Sequence, residues 1–204
     1  MGLRTVVVAT GTANLASVLA GLRRAGADPV LASAPSEVRD AAAVVLPGVG
    51  ALAAAMRTLE ADGMVEPLRE RLRAGGPTLC VCLGLQLLAD GSEESPGVAA
   101  LRVVRGMALR YPETVRVPQM GWNRVEPDGG CSLLAPGWAY FANSFRLVEA
   151  PDGWSVAWSD HAGPFVAAME RGPVLACQFH PELSGELGKA LLSRWVDRAA
   201  RGGA

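Results

Sequence analysis

Between Leu3 and Val81 the chain alternates short apolar runs with stretches of helical periodicity, and this alternation constrains the fold more than any other feature. Leu3 to Ala9 is rich in β-branched residues, the mark of a strand buried in a sheet. A turn at Gly11–Asn14 follows it. Leu15, Val18, Leu19 and Leu22 then recur at helical spacing, and Gly26 closes that helix. Pro29 to Ser33 and Ala43 to Leu46 read as a second and a third strand, the latter ending at Pro47-Gly48-Val49-Gly50. Helical patterns near Ala51–Glu60 and Met64–Ala74 lead to a fourth apolar run, Thr78–Val81. A β-α-β-α order of this kind implies a parallel sheet with right-handed crossovers.

After Pro96 the pattern changes. Short strand-like runs (Leu101–Leu109, Tyr140–Leu147, Trp154–Trp158, Phe165–Met169, Val174–Phe179) are split by Gly, Pro and Asp-Gly signals. Hairpins and antiparallel edge strands fit that punctuation. Glu186 to Arg198 reads as a closing amphipathic helix. With no repeat, low-complexity tract or linker, residues 1–204 are expected to form a single α/β domain with a substantial core.

The charge balance narrows the function classes. Nineteen basic and 20 acidic side chains give a net charge of −1, which leaves no basic footprint for nucleic acid and no polybasic patch for a membrane. Two uncharged stretches, Thr5–Leu22 and Ala41–Met56, are interrupted by Gly, Asn or Pro and read as strand–helix units rather than a signal peptide or a span. Four cysteines without a CxxC pair suggest neither a disulfide framework nor zinc, so a reducing cytoplasm is the expected location.

Chemistry concentrates at Cys80-Val81-Cys82-Leu83-Gly84-Leu85-Gln86. A buried strand precedes Cys82 and a helical pattern, Leu83 to Ala89, follows it. A strand–nucleophile–helix turn presents one side chain at the carboxyl edge of the sheet. The first amides of the following helix would then face a developing oxyanion. Gly84 is small where such an elbow packs tightly. On spacing alone, a buried structural cysteine at a strand end fits equally well.

The far end of the chain distinguishes the two readings. A thiol nucleophile needs a base within hydrogen-bond reach, and the base needs a partner that fixes its tautomer. In Gln178-Phe179-His180-Pro181-Glu182, His180 stands at a strand end and Glu182 can orient its ring. The other histidine, His161, lies in a turn-like Asp160-His161-Ala162-Gly163 with no strand end to aim it. Thiol, base and oxyanion hole suffice for acyl transfer, so neither a metal nor an organic cofactor is expected.

Cys-Leu-Gly-Leu-Gln with a distant Gln-Phe-His-Pro-Glu resembles the class I glutamine amidotransferase family. The resemblance implies a flavodoxin-like, mainly parallel sheet flanked by helices, with L-glutamine as substrate. It implies a triad of Cys82, His180 and Glu182, a glutamyl thioester and release of ammonia. It also implies an oxyanion hole from the Leu83 amide and an amide of the Gly48–Val49–Gly50 loop, and a substrate contact at Gln86. Within the family, Pro47-Gly48-Val49-Gly50 differs from the Pro-Gly-Pro-Gly of anthranilate-type and GMP-type relatives. It is similar to the glutaminase subunits of imidazole glycerol phosphate synthase, in histidine biosynthesis. Ser92-Glu93-Glu94, Pro118 to Asn123 and Tyr140 to Ser144 agree. The implied partner is a cyclase subunit, in a heterodimer that forms imidazole glycerol phosphate and aminoimidazole carboxamide ribotide.

On that likeness Asn14, Met120, Gly121, Trp122 and Asn123 face the partner, and the backbone around Asn143 and Ser144 is expected to grip the α-carboxylate or amine of glutamine. Trp122, read as exposed in a loop, is either a hot-spot anchor or a cap on its own core. The sequence departs from the subfamily pattern at several points. Ala9-Thr10-Gly11-Thr12-Ala13-Asn14 replaces Asp-Tyr-Gly-x-Gly-Asn. Cys80 replaces a Gly, Gln119 a His, and Leu183 a frequent Lys. The competing readings are a glutaminase serving another synthase, a non-catalytic module of the same fold, and an elbow-cysteine peptidase or deglycase.

Overall fold

A computed structural model describes residues 2–11 and 14–202; Thr12 and Ala13, within the first loop, lie outside the described residues. The chain opens with β1 (Leu3–Val7), α1 (Leu15–Arg24), β2 (Ala27–Leu31), α2 (Pro35–Asp40) and β3 (Ala43–Gly48). α3 (Leu52–Ala61), α4 (Val65–Arg73), β4 (Thr78–Cys82) and a single turn, α5 (Leu83–Gln86), follow. The rest is mostly strand: β5 (Gly91–Ser92), β6 (Met107–Arg110), β7 (Gln119–Pro127), β8 (Gly137–Asn143) and β9 (Phe145–Arg146). Then come β10 (Ser155–Asp160), β11 (Pro164–Arg171) and β12 (Val174–Cys177). A 3-10 turn (Pro181–Leu183) and α6 (Gly185–Ala200) end the chain.

Nine strands form one sheet in the order β2-β1-β3-β4-β12-β11-β10-β7-β8. β2, β1, β3, β4 and β12 pair in parallel, and from β12 outward every pairing is antiparallel. The parallel strands are apolar at consecutive positions because both faces are covered. Val6, Val44, Leu46 and Cys80 pack on one face with Val38 of α2, Leu59 of α3 and Leu68 of α4. Val7, Val45, Leu79 and Val81 pack on the other with Leu22 of α1 and Leu191 and Trp195 of α6.

The fold class and the mixed sheet agree with the sequence expectation, and the differences have local causes. α2 was not expected, although Pro35 at its first turn and Glu37 beside it are ordinary start signals. Of the long run Leu101–Leu109 only Met107–Arg110 is strand; Leu101 and Val104 are buried as loop side chains. The stretch holding Trp122 is not a loop but β7, paired with β8 from Gln119 to Val125. Its polar residues, Asn123, Arg124 and Glu126, hid it: the strand has a solvent face, and its only fully apolar inward residue is Val125.

Candidate active site

Cys82 ends β4 with φ 55° and ψ −108°, a left-handed backbone that a non-glycine residue adopts only under constraint. Two glycines beside it let the chain pack this closely. Gly48, the Cα partner of Cys82 across β3, lies against Leu83, where a Cβ would come within 3.0 Å of the Leu83 Cβ. A Cβ on Gly84 would stand 2.0 Å from the Leu46 carbonyl oxygen, so only glycine fits there. The chain therefore turns sharply and leaves the Cys82 side chain at the carboxyl edge of the sheet. The helix expected over Leu83–Ala89 is only the turn Leu83–Gln86, because the backbone then folds back to bond Val103 and Val104 to the Leu88 carbonyl. Local amides, rather than a long helix dipole, are what this elbow offers.

His180 follows β12, the strand directly beside β4, so adjacent strand ends bring residues 82 and 180 together. Its backbone is braced on two sides. The His180 amide donates to the Tyr140 carbonyl at 2.9 Å, and the Ser184 hydroxyl donates to the His180 carbonyl at 2.6 Å. The Nδ1 of His180 lies 2.9 Å from Oε1 of Glu182, and both side chains are buried. That leaves Nε2 for the thiol. Burial opposes a charged ring, but the contacts with Cys82 and Glu182 outweigh it and push His180 up to about 10. Gly21 of α1 packs close behind Glu182, where a Cβ would come to 3.0 Å of the Glu182 Cβ.

A cavity of about 170 Å³ opens over the sulfur, lined by Val49, Gly50, Cys82, Leu83, Gln86, Glu94, Ala142, Asn143, Ser144 and Phe145. Two clefts of about 500 Å³ lie elsewhere and neither contains Cys82; one of them runs between α1 and α6 behind Glu182. The small one is the chemically relevant space. Gln86 lines it, but both its amide hydrogens are spent inside the protein, on the Phe145 carbonyl (3.1 Å) and Gln178 Oε1 (3.0 Å). Asn143 is similar: its Nδ2 donates to the Tyr111 hydroxyl and to the Phe145 carbonyl, both at 3.0 Å. Neither side chain therefore has a free donor for a carboxylate. Glu94 serves the scaffold as well, accepting the Leu52 amide at 2.8 Å at the start of α3.

The sequence matches the family described as glutamine amidotransferase class-I over residues 7–198. The chain belongs to the class I glutamine amidotransferase family. It is 38% identical over 197 residues to the imidazole glycerol phosphate synthase subunit HisH of Symbiobacterium thermophilum, covering 94% of this chain and 92% of that protein. It is 39% identical over 194 residues to the same subunit of Thermus thermophilus, covering 95% and 96%. A crystal structure of a glutamine amidotransferase superposes with a TM-score of 0.76 at 20% identity, covering 96% of this chain and 98% of that one.

The positions that the family likeness assigned to a partner do not share one face: Met120 and Trp122 stand on the solvent side of β7, whereas Gly121 and Asn123 alternate to its other side. Met120 and Trp122 of β7 are 65% and 54% exposed, and Asn14 is exposed at the start of α1. Gly121 adopts φ 132°, and Asn123 is committed internally, donating to the Asp160 carbonyl at 2.6 Å. Trp122 does not cap the core; it meets Tyr140 edge to face and stays exposed. One residue on the face of Met120 and Trp122 had escaped notice: Trp138, opposite Arg124 on β8, is 57% exposed. Leu183, already named as a departure in the sequence, is 43% exposed. Strict alternation in Gly137–Asn143, with Ala139, Phe141 and Asn143 inward, was the available signal for Trp138. Gln119 points inward and accepts the Tyr111 hydroxyl at 2.7 Å, so that departure lies inside the fold rather than on the exposed face. Among the described residues no helix is long and apolar enough to cross a membrane, and no cluster of His, Cys, Asp and Glu could hold a metal.

Proposed function

We propose that this chain hydrolyses L-glutamine to glutamate and ammonia through a glutamyl thioester on Cys82, and hands the ammonia to a cyclase subunit in histidine biosynthesis. The observation that carries the reading is the convergence of an elbow cysteine, a histidine on the neighbouring strand end and a buried carboxylate 2.9 Å from that histidine. The near full-length likeness to HisH subunits supports the pathway over another synthase.

The sulfur attacks the side-chain amide carbon. The tetrahedral oxyanion is held by the Leu83 amide and by an amide of Gly48–Gly50, beside which Cys82 is registered. Imidazolium His180 gives its proton to the departing nitrogen, and ammonia leaves. Neutral His180 then takes a proton from water, which attacks the thioester and releases glutamate. Glu182 fixes the Nδ1–H tautomer and balances the imidazolium. Gln86 Oε1 and the backbone around Asn143 and Ser144 orient the substrate.

Met120, Gly121, Trp122 and Asn14, extended by Trp138 and Leu183, form the docking surface for the cyclase in a heterodimer. Residues 1–204 act as one domain, a reading supported by the sheet both halves share. The unpaired cysteines fit a reducing cytoplasm.

The test is glutamate release by the chain alone and with a cyclase subunit and its nucleotide substrate. Strong stimulation that disappears in Cys82→Ser supports nucleophile, reaction and partner together. Full turnover that ignores the cyclase would sink the partner assignment.

A further inference from the structure

The Cys82 sulfur has a polar neighbour besides the base. Gln178, two residues before His180 and fully buried, directs its Nε2 at the sulfur from 3.8 Å. Its backbone is fixed, the amide donating to the Ala167 carbonyl at 2.8 Å. The direction of its carboxamide is fixed too. The Phe145 carbonyl can only accept, so it takes one Nε2 hydrogen of Gln86 at 3.1 Å. The other Gln86 hydrogen goes to Gln178 Oε1 at 3.0 Å. With its oxygen turned to Gln86, Gln178 must present its N–H group to the sulfur. Gln86 and Gln178 are both buried, so no bulk water replaces a bond lost by flipping either amide.

We propose that Gln178 is a catalytic residue of this site: an oriented donor that holds negative charge on the Cys82 sulfur before attack and again when the thioester breaks. At 3.8 Å the contact is long for a neutral thiol, and it tightens as the sulfur gains charge, as charge-assisted hydrogen bonds do. His180 moves the proton; Gln178 keeps a donor in place when that proton has moved. Gln86, which acts through Gln178, is the positioning residue. The proposal rests on Cys82 being the nucleophile.

The experiment compares the full chain with Gln178→Met, similar in length but without a donor. Alkylation of Cys82 by iodoacetamide is followed across pH by mass spectrometry of the peptide that carries it, which separates it from Cys131. The rate at pH 7 falls about tenfold, the size of one charge-assisted hydrogen bond, and the two rates converge as the pH rises. A folded Gln178→Met variant whose profile superimposes on the parent overturns the proposal. If that variant does not fold, Gln86→Met frees the Gln178 carboxamide and gives a smaller fall, about threefold, with the same convergence; an unchanged profile there overturns it equally. Glutamine turnover that survives Cys82→Ser would instead remove the nucleophile assignment, a failure distinct from either alkylation result.

Discussion

The parallel and antiparallel parts of the sheet solve different problems. β1, β3, β4 and β12 are buried on both faces, and their side chains are spent on packing. What they contribute to chemistry emerges only at their ends, as the Cys82 elbow and the His180 stretch. β7 and β8 bury one face and leave the other to solvent, where Met120, Trp122 and Trp138 stand exposed. The same polypeptide thus uses two-sided burial to hold the strained elbow at Cys82 and one-sided burial to leave large apolar side chains exposed. Cys80 and Cys82 show the contrast within one strand. Burial pushes the Cys80 thiol well up and makes it inert packing, while Cys82 opens onto the cavity.

If rigidity at the strand ends serves catalysis, its loss should act on rate, whereas changes on the β7–β8 face should act on association. Short of removing Cys82 itself, the largest effect is expected for Glu182→Ala. Without its orienting carboxylate His180 loses its tautomer, and turnover in the complex falls ~10²–10⁴-fold by analogy with other triad orienters. An unaltered rate would make Glu182 a bystander. Gly84→Ala comes next. A methyl 2.0 Å from the Leu46 carbonyl oxygen forces the elbow open, and thermal or urea unfolding should show a loss of about 3 kcal/mol together with lost turnover. Trp122→Ala should leave unfolding nearly unchanged but weaken the complex with the cyclase about 30-fold, or about 2 kcal/mol, by titration calorimetry. An effect on folding with none on association would reverse the division between the two regions.

The smallest effect is in pH dependence. His180 is raised on folding from 6.5 to about 10, so its contribution to stability is complete below about 6.5 and is lost as pH rises through about 10. The stability difference between the parent and Glu182→Ala should therefore shrink across that window in urea unfolding. A difference that grows with pH would mean that the ring is neutral in the folded chain.

How much was legible in the sequence follows the same division. Doubly buried strands announce themselves through continuous apolar runs, so β1, β3, β4 and β12 were placed within a few residues, and the motifs at the ends of β4 and β12 meet in space. β7 was missed because one-sided burial halves the apolar signal and Gly121 interrupts it. α2 is too short for periodicity to speak. At the site, motifs pointed to residues that the fold brings together, but not to their hydrogen-bond commitments. That Gln86 and Asn143 have no free donors depends on Phe145 and Tyr111, partners that only the folded chain brings near. Ser184, which braces His180, looks in sequence like an ordinary residue before a helix.

The central claim is that the strained elbow at residue 82 carries the reaction, and Cys82→Ala in the complex with the cyclase tests it most directly. The account predicts a folded variant that still binds the cyclase and releases no glutamate above the uncatalysed rate. A variant that releases glutamate at the parent rate would contradict it.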